Sequence, residues 1–150
     1  MSARTFVRRA KETDIISIVV EMKALAEHTD SMELYTGGSD AYDFVRNLIE
    51  NHLVFVTERY GKLTGFIGGA VGPHYMNPKI RVLTESIWWV LDKNRQSFSA
   101  KLLLDEFVAW GDDYVDWIIF SIDKNCRVND RAFLKRGFDL QEKVFVRRLK

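Results

Sequence analysis

Residues 90–104 carry the pattern that most directly suggests chemistry. A β-branched and aromatic run ends at Val90, a short polar turn follows, and apolar spacing of helical period begins at once. The first amides of a helix have no carbonyl partner within it, and the helix dipole adds partial positive charge, so such a corner can bind a pyrophosphate. Arg95 could donate a charge-assisted hydrogen bond to the same anion. The alternative is an ordinary strand–helix corner, with Ser97 as the helix cap and Arg95 in water.

The other residue types that could do chemistry are scattered along the chain. His28, His52 and His74 have neither metal-ligand spacing nor an adjacent nucleophile, so we expect loop or surface histidines and no metal site. Cys126 is the only cysteine, which excludes an internal disulfide and is typical of a reducing compartment. We expect it to be a small packed residue and not a reactive thiol.

The periodicity of apolar residues predicts the elements that position these groups. Strands are predicted at 5–9, 53–58, 63–71, 81–91 and 117–122, with one or two more within 138–149, and helices at 15–26, 41–50, 97–110 and 129–135. The second helix should turn Phe44, Val45, Leu48 and Ile49 inward, and 117–122 should be a buried strand. The order indicates an α/β (α+β) fold, a mixed sheet of six to seven strands with helices on both faces.

Length and composition set the outer bounds. The 150 residues are the usual length of one domain, so a single domain over 1–150 is expected. The 47% apolar and 13% aromatic content favours a packed core over disorder. With 22 basic and 21 acidic residues the formal charge is +1, which argues against nucleic acid or a membrane surface as a partner. No apolar run could span a bilayer, and we expect a cytoplasmic protein.

The order of elements and the 90–104 corner together resemble the GNAT acetyltransferases. The acyl-CoA motif of that family, Gln/Arg-x-x-Gly-x-Gly/Ala, corresponds here to Arg95-Gln96-Ser97-Phe98-Ser99-Ala100. Arg95 and Ala100 match, as does Val90 five residues before the arginine. Phe98 replaces the glycine that lets the loop approach the phosphates, and a requirement for positive φ at that position would exclude phenylalanine.

A second similar segment is 125–138, which ends in Gly137-Phe138 as the family's last helix does. The family asparagine that starts this helix corresponds to Asn125 or Asn129. Phe133 stands where the family often has a tyrosine that protonates the departing CoA thiolate. A phenyl ring cannot do this, and we expect Phe133 to be a core residue.

The resemblance also implies a general base. An amine must be neutral to attack a thioester, and a carboxylate near the acceptor can remove its proton. The family often uses a glutamate on the fourth strand, and Glu85 lies in the corresponding strand, where burial would raise its pKa. If strand alternation holds, Glu85 shares a face with Ile87, Trp89 and Leu91. The alternative is an edge glutamate in solvent or paired with Arg81.

The resemblance therefore implies a GNAT-like, mostly antiparallel sheet and direct transfer of an acetyl group from acetyl-CoA to a primary amine of a small molecule or peptide. Acetyl-CoA would be held by Trp89, Val90 and Leu91 along pantetheine, by Arg95, Gln96, Ser97, Phe98, Ser99 and Ala100 at the pyrophosphate, and by Asn125 or Asn129. The loops bearing Tyr35, Gly37, Gly38, His74 and Tyr75 would flank the acceptor. Dimers are common in the family, so a homodimer is a further implication. The alternative is a GNAT-like fold without activity that serves as a binding or assembly module, which Phe98 and Phe133 favour.

Overall fold

The computed structural model describes residues 4–94 and 98–149. The strands in this part of the chain are β1 (Phe6–Arg9), β2 (Leu53–Arg59), β3 (Lys62–Pro73), β4 (Arg81–Val90) and β5 (Trp117–Ile119). The helices are α1 (Ile15–His28), α2 (Gly38–Asn51), α3 (Ser99–Tyr114) and α4 (Asp130–Leu134). None of these helices combines the length and the apolar character that a membrane crossing requires. The candidate residues Arg95, Gln96 and Ser97 lie outside the described residues.

The strands form one mixed sheet in the order β1-β2-β3-β4-β5. Strands β1 to β4 pair antiparallel and β4 pairs with β5 in parallel, which confirms the mixed, mostly antiparallel sheet. The prediction of six to seven strands is not confirmed, because the described residues contain five and the segment 138–149 contributes none. Residues 139–149 form no backbone-to-backbone hydrogen bond with any described residue. Their β-branched composition alone cannot make a strand without a neighbour to pair with.

Strand β5 is shorter and more exposed than the sequence predicts. The predicted buried strand 117–122 is regular only over Trp117–Ile119, and the Trp117 side chain is 49% exposed. Within the described residues β5 lies at the edge of the sheet and has one neighbour, so half of its surface faces outward. A continuous apolar run predicts a strand with neighbours on both sides, and that condition is not met here.

The β2–β3 hairpin confirms the prediction of two strands joined by a tight turn. Tyr60 and Gly61 form the turn with φ of 54° and 71°, the positive values that two-residue hairpin turns of the type I′ class require. The Cα partners run from Arg59 with Lys62 to Leu53 with Gly69.

The core lies on both faces of the sheet, as predicted. On the α1/α2 side it contains Ile15, Ile18, Val45, Leu48, Val54, Val56, Phe66, Ile87 and Trp89. On the α3 side it contains Leu53, Phe55, Ile67, Leu83, Val90, Leu103 and Phe107. Consecutive residues of β2 alternate between the two sides because neighbouring side chains of a strand point to opposite faces.

The prediction that the Phe44 side chain of α2 faces the core is wrong. Phe44 is 39% exposed, whereas Val45 and Leu48 are buried and Ile49 is half-buried. Phe44 lies at the margin of the apolar stripe, about 100° around the helix from Val45, so the helix turns most of its ring away from the sheet.

Helix α4 has the ends that the sequence predicts. The Asn129 side chain caps it by accepting a hydrogen bond from the Arg131 amide at 2.9 Å. Gly137, with φ of 86°, turns the chain after the last residues of the helix.

Candidate functional site

Strands β4 and β5 separate part-way along the sheet. Their Cα partners are Val82 with Trp117, Leu83 with Ile118 and Thr84 with Ile119. Beyond Thr84, β4 continues to Val90 without a strand partner on its β5 side among the described residues. We call the opening beside Glu85–Val90 the β4–β5 cleft. Backbone groups on an unpaired strand edge can bind an extended ligand as if it were a further strand.

A β-bulge lies at the closed end of this cleft. On the other side of β4, Gly69 pairs with Glu85 and Gly68 pairs with Ile87, so Ser86 is an extra residue of β4. A bulge bends its strand and increases the local twist, which separates the strand from a neighbour. The bulge therefore accounts for the point at which β4 leaves β5.

The bulge also ends the regular alternation of β4. Leu83 packs in the α3-side core, but Ile87, four residues later, packs in the α1/α2-side core. In a regular strand these two side chains would share a face. The prediction that Glu85 shares a face with Ile87, Trp89 and Leu91 required regular strand alternation, and β4 does not alternate regularly between Glu85 and Ile87.

Glu85 is largely buried at the closed end of the cleft. Burial raises the pKa of its carboxyl to about 7, and a hydrogen bond from the Ser121 backbone amide acts in the opposite direction. Among the described residues no ion pair joins Glu85 to Arg81, and the carboxyl feels no charge from that side chain. A carboxyl that titrates near neutral pH is suited to accept a proton from an amine.

Trp88 lies on the part of β4 that borders the cleft and was not among the site residues predicted from the sequence. Its ring makes edge contacts with Phe120, which follows β5, at 5.5 Å between centroids, and with Phe133 of α4 at 6.3 Å. Its Nε1 is buried and finds no acceptor among the described residues. Leaving such a donor unpaired costs about 1–3 kcal/mol, and a ligand carbonyl in the cleft would remove that cost. The doublet of adjacent tryptophans was the available signal, because one ring of such a pair must face each side of a strand.

The three residues predicted along pantetheine have side chains that belong to the core. Trp89 is buried on the α1/α2 side, where its Nε1 donates to Glu21 at 3.4 Å and its ring contacts His28. Val90 is buried on the α3 side, and Leu91 is half-buried with its amide donating to the Thr64 carbonyl at 3.0 Å. Only the backbone of this segment can contribute to the cleft.

The start of α3 tolerates Phe98 without strain. Phe98 precedes the helix with φ of −78° and ψ of 9°, so the positive φ that would exclude phenylalanine does not occur there. Its ring is 76% exposed and does not pack into the protein. The Phe98 carbonyl accepts the helical bond from the Leu102 amide at 2.9 Å. The amides of Ala100 and Lys101 belong to the first turn, where a helix favours an anion.

Ser99 fixes the start of α3 to the sheet. Its buried hydroxyl is hydrogen-bonded to Thr64 of β3 at 3.0 Å, and the Thr64 hydroxyl donates to Thr57 of β2 at 2.9 Å. This chain of three buried hydroxyls determines where the first turn of α3 lies relative to β3. The Ser99 side chain therefore has a structural partner, and Ala100 is half-buried against the α3-side core.

The two asparagines have different structural roles. Asn129 starts α4, which removes the ambiguity over which of them begins the helix. The Asn125 side chain donates to the His28 carbonyl at 2.9 Å and to Asp30 at 3.2 Å, and its carbonyl contacts His28 Nε2 at 3.1 Å. Asn125 thus joins the loop after β5 to the end of α1.

Phe133 is a core residue, as predicted. It is 7% exposed and its ring contacts those of Phe120, Phe138 and Trp88. Because these rings surround it, position 133 supplies packing and no proton.

The expected acceptor loops lie at two places on the surface. Tyr35 is half-buried beside Gly37 before α2. His74 stacks on Tyr75 at 4.7 Å and contacts Trp117 at the start of β5, with Tyr75 89% exposed. Within residues 4–94 and 98–149, no three His, Cys, Asp or Glu side chains come together as metal ligands.

Solved structures with this arrangement include acetyltransferases. A predicted acetyltransferase from Clostridium acetobutylicum, solved with acetyl-CoA, gives a TM-score of 0.73 at 17% identity over 97% of each chain. Aminoglycoside N-acetyltransferase AAC(6')-Iy in complex with CoA gives 0.71 at 18% identity, covering 99% of this chain and 96% of that chain. A transcriptional regulator from Bacillus halodurans C-125 gives 0.76 at 12% identity, covering 97% of this chain and 100% of that chain.

The likeness is one of structure alone. No protein-family model matches the sequence, and no curated protein matches it at a significant level. At identities of 12–18% the comparisons establish a common fold over nearly the whole chain. The chain shares its overall fold with these acetyltransferases, as the resemblance in the sequence implied.

Proposed function

We propose that this chain is an acetyl-CoA-dependent N-acetyltransferase of the GNAT superfamily, acting as one domain and transferring the acetyl group directly to a primary amine. The observation that carries the proposal is the β4–β5 cleft, with an unpaired strand edge along one side and Glu85 at its closed end. The fold is shared with proteins solved with acetyl-CoA and with CoA, which supports the same cosubstrate here.

The described residues fit this cosubstrate at three points. The β5-side backbone of Ile87–Val90 would bind the amides of pantetheine, and the unpaired Trp88 Nε1 would donate to a carbonyl of the same arm. The first turn of α3, which begins at Ser99, would hold the pyrophosphate through its free amides. Arg95, Gln96 and Ser97, which lie outside the described residues, remain predicted contacts of the same anion. When bound, acetyl-CoA supplies an acetyl group activated as a thioester.

Glu85 would be the general base. Its carboxyl, with a pKa raised to about 7 by burial, is ionised in a large fraction of molecules at neutral pH and can accept the ammonium proton of the acceptor. The neutral amine then attacks within the ternary complex. A thiol has a pKa of about 8.5, so a thiolate leaves more readily than an alkoxide would, and the absence of a hydroxyl at Phe133 does not prevent transfer.

We propose a small-molecule amine as the acceptor, with a peptide amine as the second choice. AAC(6')-Iy, a neighbour in structure, is an aminoglycoside N-acetyltransferase, which supports the small-molecule class. The stacked His74 and Tyr75 and the half-buried Tyr35 would contribute aromatic contacts to acceptor binding.

The second candidate function is a binding module without catalysis. Two observations favour it: Phe133 lacks the hydroxyl of the usual acid, and a transcriptional regulator has the same fold. The two functions differ in whether Glu85 has chemistry to perform.

Release of CoA from acetyl-CoA with a panel of amines, including aminoglycosides and polyamines, tests the proposal. In the active protein, kcat/KM should rise with pH through about 7 as Glu85 loses its proton. Glu85→Gln should turn over at least about 100-fold more slowly, and its kcat/KM should no longer rise with pH through this range. The variant should still bind CoA. Glu106→Gln, on the exposed face of α3, is the matched control and should keep full activity. CoA binding without turnover on any amine would favour the binding module.

A further inference from the structure

The indole nitrogen of Trp88 is a buried hydrogen-bond donor on the part of β4 that borders the β4–β5 cleft. No residue within 4–94 or 98–149 accepts a hydrogen bond from its Nε1. A buried indole N–H usually has a partner, because leaving it unpaired destabilises the folded protein. The acceptor is therefore expected on a ligand bound in this cleft.

The Trp88 ring lies near the closed end of the cleft, where Glu85 is. The ring contacts that of Phe120 at 5.5 Å between centroids, with the two planes 77° apart. Phe120 directly follows β5, and the amide of the next residue, Ser121, donates to the Glu85 carboxyl. The indole and the carboxyl therefore contact two adjacent residues of the same segment.

Aromatic side chains from neighbouring elements hold the indole in place. Besides Phe120, the ring contacts Phe133 of α4 at 6.3 Å and edge-on, and Phe120 in turn contacts Phe107 of α3 at 5.2 Å. Packing of this kind excludes water from Nε1 and limits the movement of its N–H. A donor held in place in a dry site stabilises developing charge more effectively than one that must first reorient.

The proposed function determines which ligand atom would lie nearest this donor, and the inference rests on that function. Acetyl-CoA has amide carbonyls along pantetheine and a thioester carbonyl at its end. With the pyrophosphate at the start of α3, beyond Val90, the thioester would lie toward the opposite end of the cleft, at Glu85. The amine that Glu85 deprotonates must approach the thioester carbon to about 3 Å. The thioester carbonyl is therefore the carbonyl that lies at the same end of the cleft as the Trp88 ring.

We propose that Trp88 Nε1 donates a hydrogen bond to the thioester carbonyl oxygen of bound acetyl-CoA, so that Trp88 is a catalytic residue beside Glu85. An indole nitrogen is a donor only, so its role is to stabilise charge and not to transfer a proton. The carbonyl oxygen gains negative charge as the amine attacks, and the hydrogen bond to it strengthens at that point.

The transfer needs no further reactant. Glu85 accepts one proton from the acceptor ammonium, and the neutral nitrogen forms a bond to the thioester carbon. The C–S bond breaks with its electron pair on sulfur, and the nitrogen gives a second proton to that sulfur. The products are the N-acetylated amine and CoA, Glu85 returns its proton to solvent, and Trp88 keeps its own proton throughout.

Isothermal titration with two ligands, in the absence of any amine, tests the hydrogen bond itself. S-ethyl-CoA has nearly the size of acetyl-CoA but lacks the thioester oxygen. The wild type should bind acetyl-CoA at least about threefold more tightly than S-ethyl-CoA, because only acetyl-CoA offers an acceptor to Trp88 Nε1. In Trp88→Phe, which keeps an aromatic ring but has no N–H, the two affinities should agree within about twofold.

The matched control is Trp110→Phe, which removes the indole N–H of another half-buried tryptophan on the α3 side of the sheet. Trp110 belongs to α3 and its ring packs on that of Tyr114 at 4.8 Å. This variant should keep the wild-type preference for acetyl-CoA.

The indole signals of the wild type provide a measurement that does not require a folded variant. The chain has four tryptophans, so ¹⁵N-labelled protein gives few indole N–H signals. One of them should move downfield on addition of acetyl-CoA and stay in place on addition of S-ethyl-CoA. The same signal should be missing from the spectrum of Trp88→Phe.

Turnover separates a catalytic hydrogen bond from one that only binds. With an amine that supports CoA release, Trp88→Phe should lower kcat on the order of 100-fold, while its affinity for CoA stays within about twofold of the wild-type value. A wild-type kcat in Trp88→Phe would overturn the inference. Equal affinity of the wild type for acetyl-CoA and S-ethyl-CoA would also overturn it, and would leave the proposed cosubstrate unaffected. A protein that binds neither ligand would contradict the proposed function and the inference together.

Discussion

At the scale of single residues, the account depends most on Glu85. A carboxyl placed beside a bulge and largely removed from water keeps its proton to a higher pH than it does in an unfolded chain. The resemblance to the GNAT acetyltransferases, which often carry a glutamate on the fourth strand, pointed to Glu85, and its apolar neighbours predicted its burial. The face predicted for Glu85 was wrong in its reason, because strand alternation does not continue through Ser86.

The raised pKa predicts how stability depends on pH. Between pH 4.5 and about 7 the unfolded chain loses the Glu85 proton while the folded protein retains it, so the free energy of unfolding falls as pH rises through this window. At about 1.4 kcal/mol for each pH unit between the two pKa values, Glu85 costs the folded protein roughly 3–4 kcal/mol at most above pH 7. Glu85→Gln removes this cost.

Urea unfolding at pH 5 and at pH 8 measures the effect. Glu85→Gln should be close to the wild type at pH 5 and more stable than it at pH 8. Exposed Glu106→Gln should follow the wild type at both pH values. An equal difference between Glu85→Gln and the wild type at the two pH values would show that the carboxyl is not desolvated.

At the scale of the elements, the position of α3 depends on the hydroxyl chain from Thr57 through Thr64 to Ser99. Ser99→Ala leaves the buried Thr64 hydroxyl with one partner fewer, and we expect a loss of about 1 kcal/mol in the free energy of unfolding. If this contact also fixes the first turn of α3, CoA affinity should fall as well.

Thermal and urea unfolding together with CoA titration check this prediction. Ser86→Ala is the matched control, because the exposed Ser86 hydroxyl makes only a 3.5 Å contact with the Thr84 carbonyl. The control should change stability by less than about 0.5 kcal/mol. Equal losses in both variants would mean that the buried hydroxyl chain has no special role.

The sequence predicted correctly the elements whose ends are determined by nearby residues. The β2–β3 hairpin follows from turn residues between two β-rich runs, and α4 follows from an asparagine cap and a glycine end. The length of β5 depends on which strands pair with it, and a local sequence pattern does not show this. The same limitation explains the missing strands in 138–149, where a strand-like composition lacks a partner in the described residues.

Candidate-site prediction was limited for the same reason. The 90–104 corner could be predicted from its strand–turn–helix pattern, and Glu85 from the resemblance to the GNAT acetyltransferases. The β4–β5 cleft arises from a one-residue mismatch between β3 and β4, and the unpaired Trp88 Nε1 arises from the aromatic rings around it. Both the cleft and the unpaired Nε1 depend on contacts between segments that are far apart in the sequence. The local sequence around each feature does not report those contacts.

At the scale of the whole molecule, the sheet combines an open cleft with an open edge. The cleft on the β4 side of β5 is the proposed cosubstrate site.

Isothermal titration of CoA into the purified protein tests the central claim most directly. We expect a saturable heat with one CoA for each chain. The CoA affinity of Glu85→Gln should lie within about twofold of the wild-type value, because in the proposed complex the base lies beyond the bound pantetheine arm. No heat at high micromolar CoA would contradict this claim. The chain would then share a fold with acetyltransferases without binding the cosubstrate that their chemistry needs.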